Sequence, residues 1–530
     1  MTLHGPKLTR ENPISSLLGI GLEHGGQRVA LRSSTRDWTW QEFDLASRRL
    51  ASAYLSHGLK QGDRVATLMP NRPALLIHYL ACIKAGLVVT PLNYRYMPPE
   101  IDHALRVSGA TLLLAHAERD SDVEASEMAG QLSHGVIRYG SLESDLVEAV
   151  DGDSFETFLE RGDAASTFPP IAHEAPAFIY FTSGSTGKPK GVTHTHGTLG
   201  EMMASTIECL QLREADVVLP AASCSHIGGS LFSLSTLAAG ATVALPRTGA
   251  AADVLPLLRS CQPTVLWMLP SALVTLIRDR QAHADDFASI RLCFSGGDKV
   301  SATLETEFTD LTGTPIDEGY GMTEIGGALL NPVDGENRIG SVGKLAPGYQ
   351  ASIRDEAGNE MPAGEPGRLW IQSPANTVGY WENLTATSET IVDGWLDTGD
   401  IMVADEDQYF WFHGRKKQII IHDGSNICPQ EVEAALMEHD AIREAGVVGV
   451  HDLVHGENVR AYVTVREGFD QPNEIELIDF ARERIGYKAP EQIVFLEEMP
   501  LNATGKVDRV RLKSIAETYL DAITASMPDS

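Results

Sequence analysis

Short apolar runs alternate with helix-forming stretches along the first half of this chain, and no other feature narrows its fold as much. Thr39-Trp40-Gln41-Glu42 reads as a capping box, in which the threonine hydroxyl takes a first-turn amide and the glutamate reaches back. An amphipathic stretch follows, with Phe43, Ala46, Leu50, Ala53 and Leu55 at helical spacing. Gly62-Asp63 turns the chain into an apolar strand over residues 64–69, Pro73 opens a helix over 74–85, and Gly86 ends it before a strand over 87–90. Apolar strands separated by helices predict parallel βαβ units with helices on both faces of the sheet. The same style continues at residues 177–181 and 264–268.

Two changes of texture follow. Between residues 335 and 413, glycines recur every few positions (Gly340, Gly343, Gly348, Gly358, Gly364, Gly367) between short strand-like segments, which predicts a small β-rich, barrel-like unit. After Gly414 a compact α+β segment is expected, with a helix opening at Pro429, strands over 445–450 and 460–465, and a last helix carrying Leu512, Ile515, Ala516, Tyr519 and Leu520. The fold class is therefore α/β: a large domain over residues 1–414, built of stacked α/β subdomains plus the β-rich unit, and a small α+β domain over 415–530. A length of 530 residues accommodates about three or four such folding units.

Composition excludes several classes of function. The formal net charge of −30 argues against a nucleic-acid or anionic-membrane binder, whose surface would have to be basic. The six cysteines (Cys82, Cys209, Cys224, Cys261, Cys293, Cys428) are scattered without a CxxC pair, so neither a disulfide framework nor a zinc site is expected. The opening Met1-Thr2-Leu3-His4-Gly5-Pro6 has no basic region leading into an apolar run, and the most apolar stretch, residues 231–246, is broken by polar residues and Gly240. A soluble cytoplasmic enzyme, with no membrane span, is the expectation.

The chemistry is concentrated in Tyr180-Phe181-Thr182-Ser183-Gly184-Ser185-Thr186-Gly187-Lys188-Pro189-Lys190. A buried strand runs into a loop of hydroxyls, glycines and lysines. Glycines let successive N–H groups curl inward as an anion nest, Thr182, Ser183, Ser185 and Thr186 add donors, and Lys188 and Lys190 add charge. That inventory suits phosphate oxygens. It is not a Walker loop, because Gly184 and Gly187 are too close and Lys188 is followed by Pro189. Gly19-Ile20-Gly21 and its surroundings have the wrong spacing for a dinucleotide fingerprint.

This loop resembles that of the adenylate-forming superfamily, which includes AMP-dependent acyl-CoA synthetases, adenylation domains and luciferases. Further motifs recur in that family's order: Glu318-Gly319-Tyr320-Gly321-Met322-Thr323-Glu324, Gly394-Trp395-Leu396-Asp397-Thr398-Gly399-Asp400, Gly414-Arg415-Lys416-Lys417, Pro429-Gln430-Glu431-Val432-Glu433, and Pro500-Leu501-Asn502-Ala503-Thr504-Gly505-Lys506. The resemblance implies activation of a carboxylic acid by ATP to an acyl-adenylate, then transfer to CoA with release of AMP. ATP, Mg²⁺ and CoA are the implied cofactors and co-substrates.

The resemblance also implies roles for residues. Lys506 would be the adenylation catalyst, Thr323 a donor to the α-phosphate and Glu324 a hard oxygen ligand for Mg²⁺. Tyr320 would present its ring to adenine beside Gly296 and Gly297, Asp400 would take the ribose diol, and Arg415 would contact ribose or phosphate. Lys417 matches a hinge about which the C-terminal domain rotates, and Gly424 matches the glycine beside the pantetheine tunnel. His226 matches the histidine that contacts the acyl carboxylate. Ile227, Gly228, Gly229, Ile325, Gly326, Gly327 and Ala328 would line the acyl pocket. None of these seven is charged, so the expected partner is a small carboxylic acid with a hydrophobic tail, fatty or aromatic. An adenylating amide synthetase or acyl-carrier-protein ligase, or a nucleotide-binding paralogue without activity, are the competing readings. Intact Lys506, Glu324 and Asp400 argue against the last. The oligomeric state, a homodimer included, stays open.

Overall fold

The structure is a computed structural model that describes residues 13–140, 155–182, 189–279, 282–415, 418–422, 425–452, 456–502 and 505–516. The chain divides into two compact units: Met1–Ser352 with Trp370–Asp397 and Gln408–Phe410, and Ile353–Leu369 with Thr398–Asp407 and Trp411–Ser530.

The first unit carries two sheets of the expected α/β kind. One has seven strands in the order Gly379–Tyr380, Lys190–Thr195, Pro176–Thr182, Val88–Leu92, Arg64–Leu68, Leu112–His116 and Val136–Tyr139. Its five strands from Pro176–Thr182 onward are mutually parallel, and Lys190–Thr195 runs antiparallel. The capping box is in place: Thr39 and Glu42 exchange hydrogen bonds at the start of the helix Trp40–Ser56. Pro73–Ala85 is buried at every one of its positions, as a helix apolar all round must be.

The second sheet has nine strands, ordered Lys344–Leu345, Gly326–Leu330, Ile316–Met322, Leu292–Gly296, Val265–Met268, Val217–Ala221, Thr242–Ala244, Val29–Arg32 and Asp37–Thr39. Its central strands are parallel and apolar on both faces. Leu266 and Met268 face one core with Leu219, Cys293 and Ile316, while Val265 and Trp267 face another with Val218, Leu292, Phe294 and Phe232. Alternate residues of one strand thus feed two cores, which is why these strands read as continuous apolar runs. The helix Ile227–Ala238 supplies Phe232 to the second core.

Between residues 350 and 415 the chain forms a five-stranded sheet, in keeping with the glycine-punctuated texture there. Farther on, Ile442–Asp452 and Gly456–Val465 make a long antiparallel pair, and Gln492–Phe495 adds in parallel. The helices Pro429–Met437 and Glu474–Ile485 cover one face through Val432, Leu436, Leu477 and Ala481. Leu512 and Ala516, on the last helical residues described, cover the other face with Met499 and Tyr462. Among the described residues no helix is long and apolar enough to cross a membrane.

Candidate active site

Thr182 and Lys190 face each other across the antiparallel pair that flanks the glycine-rich motif. Ser183, Gly184, Ser185, Thr186, Gly187 and Lys188 lie outside the described residues, so the structure speaks only for the two ends. Lys190 holds its ammonium 5.0 Å from the centre of the Tyr380 ring. Tyr180, on the strand before the motif, shares a hydrogen bond of 2.7 Å with Ser230. That bond ties the strand to the helix carrying the expected acyl-pocket residues.

Residues 316–330 form a tight antiparallel hairpin in which Met322 pairs with Gly326. A side chain at Gly321 would place its Cβ 2.2 Å from the Gly326 carbonyl oxygen, so only glycine allows the two strands to approach this closely. Three successive carbonyls at the hairpin tip are then each claimed by a different donor. His194 Nε2 donates to Thr323 O at 2.8 Å, the Thr377 amide to Glu324 O at 2.7 Å, and the Tyr349 hydroxyl to Ile325 O at 2.5 Å. Burial lowers the His194 pKa to about 4, so the ring is neutral near pH 7. A neutral ring donating from Nε2 must accept at Nδ1, and the Thr198 hydroxyl stands there at 3.2 Å. The Glu324 carboxylate itself, buried, accepts the Tyr380 hydroxyl at 2.9 Å.

Gly296 and Gly297 come together with Tyr320. Leu292–Gly296 runs parallel to Ile316–Met322 with Gly296 opposite Gly319, the neighbour of the half-buried Tyr320. A Cβ at Gly296 would stand 2.5 Å from Gly319 O, and Gly297 takes φ +83°, so this crossing point needs both glycines.

His226 precedes the helix Ile227–Ala238 and gives it no side-chain cap. Its ring is turned to Asn93, whose Nδ2 lies 3.0 Å from His226 Nε2. The Asn93 oxygen already accepts the Arg95 amide at 2.9 Å, so Asn93 presents its NH₂ and His226 Nε2 accepts. First-turn amides not capped by the N-cap side chain form a natural seat for a carboxylate. Gly228 packs on Trp267, Gly229 on the Ser223 carbonyl, and Gly326 faces Met202 and Leu231 of two helices, while Ile325 and Ala328 are fully buried and Ile227 nearly so.

The second unit holds the remaining candidates. Asp400 is fully buried and accepts Arg415 Nε at 2.9 Å. Lys506 sits on a turn closed by its carbonyl taking the Asn502 amide at 2.7 Å and its own amide reaching Asn502 Oδ1 at 3.1 Å. Arg509, three residues on, pairs with buried Glu433 at 2.5 Å, and Glu433 also accepts the Val447 amide at 2.7 Å. Lys417 and Gly424 lie outside the described residues.

Asn93, His194, Tyr349, Thr377 and Tyr380 were not expected from sequence. Only Asn93 carried a signal, as a polar residue just past the carboxyl end of the parallel strand Val88–Leu92. The others act across 24 to 129 residues of sequence, through pairings that spacing does not reveal.

Three acids are buried at the base of the hairpin: Asp317 and Glu318 on its first strand and Glu305 on the helix Ala302–Thr312. Burial pushes Glu318 up to about 8 and, against a hydrogen bond from Asn337, Glu305 up to about 7, while burial and repulsion from Glu305 raise Asp317 to about 7. Glu318 Oε1 accepts the Val300 amide at 3.1 Å and Oε2 has no partner. Because its folded pKa lies above the unfolded value, the Glu318 contribution to stability is fully present below about pH 4.5 and is lost as pH rises toward 8. Glu318→Gln should therefore stabilise the protein at pH 9 by on the order of 3 kcal/mol and change little at pH 5. Urea melts at the two pH values check this; equal shifts at both would refute it.

Comparison with known proteins places these residues in context. The model of the family described as AMP-binding enzyme matches residues 22–381, and that of its C-terminal domain matches residues 431–506. The chain is 32% identical over 485 residues to a feruloyl-CoA synthase from an Amycolatopsis species, covering 90% of this chain and 94% of that protein. It is 31% identical over 512 residues to a long-chain-fatty-acid–CoA ligase of Salmonella typhimurium, covering 91% of each. Its fold matches that of the anthranilate CoA ligase AuaEII in complex with anthranoyl-AMP with a TM-score of 0.86 at 27% identity, over 96% of this chain and 98% of that one.

Proposed function

We infer the reaction of this chain from its membership of the AMP-binding enzyme family: it couples a hydrophobic carboxylic acid to AMP and passes the acyl group to CoA. A carboxylate is a poor electrophile. Attack of its oxygen on the α-phosphorus of ATP forms a mixed anhydride and breaks the bond to pyrophosphate. The CoA sulfur then attacks the acyl carbon, AMP leaves, and the thiol proton passes to solvent. The observation that carries the reading is the hairpin tip, where His194, Thr377 and Tyr349 fix three consecutive carbonyls and so hold Thr323 and Glu324 in one orientation.

The assignment of roles follows from chemistry. Thr323 donates to the α-phosphate, and Tyr320, with Gly296 and Gly297, receives the base. Asp400, oriented by Arg415, takes the ribose hydroxyls. The first-turn amides after His226 seat the acyl carboxylate, and Lys506 neutralises charge between carboxylate and phosphate. Among the described residues no cluster of three or more His, Cys, Asp or Glu could hold a metal. A lone buried carboxylate fits Mg²⁺, which is usually bound by one or two carboxylates together with substrate phosphates and water. Glu324 would hold it, and the ion would supply charge neutralisation on the phosphates. We assign residues 1–414 to nucleotide and acyl binding and 415–530 to the module bearing Lys506.

Acid-dependent exchange of pyrophosphate into ATP, followed by CoA-dependent AMP release, tests the reading. Exchange with no acid of a broad panel would sink it. Exchange without CoA turnover would instead favour an amide synthetase or a carrier-protein ligase.

A further inference from the structure

We propose that Trp267 determines substrate specificity: its indole N–H donates to an oxygen acceptor on the tail of the acid, which is flat and carries a hydroxyl, ether or carbonyl oxygen away from its carboxylate. This rests on the adenylation reading above. Trp267 is only 7% exposed, and its buried Nε1 has no partner among the described residues. Tryptophan is a donor only, and a buried donor left unpaired is costly and uncommon in folded proteins. A ligand that supplies an acceptor removes that cost.

The surroundings locate the donor. Trp267 lies near the carboxyl end of the parallel strand Val265–Met268, the edge of an α/β sheet where ligands bind. Its Cη2, Cζ2 and Cζ3 atoms would stand 2.8, 3.2 and 3.7 Å from a Cβ on Gly228. The six-membered ring therefore meets the first turn of the helix Ile227–Ala238, where the acyl carboxylate is seated, and Nε1, on the five-membered ring, stands farther from that turn. The wall is aromatic and layered: Phe232 stacks on Trp267 at 5.1 Å with 17° between planes, and Phe294 follows at 6.4 Å and 27°. Near-parallel rings favour a planar tail over a flexible chain. Among the described residues the indoles of Trp38 and Trp40 are also unpartnered, but they belong to the strand Asp37–Thr39 and the start of the helix Trp40–Ser56, where Trp40 packs against Gly21.

The test uses isosteric probes on the full-length protein: 4-methoxycinnamate, which carries an acceptor, and 4-ethylcinnamate, which has the same shape without one, with decanoate as a flexible acid. Pyrophosphate release should give kcat/KM at least about tenfold higher for the methoxy acid. Trp267→Phe should erase most of that preference, read as the ratio of the two acids' kcat/KM values. The wild-type ratio needs no variant and stands if Trp267→Phe misfolds. A preference for 4-ethylcinnamate, equal losses on both acids in the variant, or turnover of decanoate but of neither cinnamate would overturn the inference while leaving adenylation standing. No pyrophosphate release with any acid is the separate failure of the adenylation reading.

Discussion

Lys506→Ala should lower acid-dependent ATP–pyrophosphate exchange by about 10²- to 10³-fold, the loss typical of removing one charged donor from a transition state. The turn that carries Lys506 is held by main-chain atoms: its carbonyl receives the Asn502 amide and its amide reaches Asn502 Oδ1. Gly505, with φ +85°, completes it, and the Glu433–Arg509 pair anchors the segment that follows. These main-chain contacts persist when the lysine side chain is truncated, so the variant should keep its fold and bind ATP. A purified acyl-adenylate supplied to Lys506→Ala should still be converted to acyl-CoA at close to the wild-type rate. Full exchange activity in Lys506→Ala would refute the assignment. Loss of both half-reactions together would point to a structural role instead.

The second large effect is expected at Glu324. Glu324→Gln keeps the volume, and its remaining oxygen can still accept the Tyr380 hydroxyl that now stands at 2.9 Å. The three carbonyl contacts of the hairpin tip are main-chain and unaffected by the change. What is lost is the negative charge, so a drop of about 10²-fold in exchange should come with a higher Mg²⁺ requirement. Exchange measured across a magnesium titration checks this. A metal dependence identical to that of the unsubstituted protein would remove Glu324 from the metal site.

Much of the architecture was legible because its signals are local. Thr39 to Glu42, Pro73 to Gly86 and the apolar run 264–268 each encode their element within a few residues, and each element formed. Glycines at 296, 297 and 321 were legible as part of motifs, and the structure supplies the reason, close backbone approach or positive φ. The partners were not legible. Asn93 and His226 are 133 residues apart, and His194 and Thr323 are 129 apart. A bond of that range depends on which strands become neighbours and in what register, and no local spacing carries that information.

The amino-acid order alone therefore settled the inventory of chemistry: a hydroxyl- and glycine-rich loop, a paired threonine and glutamate, a lysine on a polar turn. Such groups are contiguous, and turn and strand preferences act over a few residues. Tertiary structure alone decided how those groups are held and which buried donor is left unpaired. Sheet order set His194, Thr377 and Tyr349 onto successive carbonyls, and the two-sided burial of one strand left the Trp267 N–H without a partner. Orientation and unmet hydrogen-bonding capacity are properties of neighbours in space, which exist only once the chain has closed.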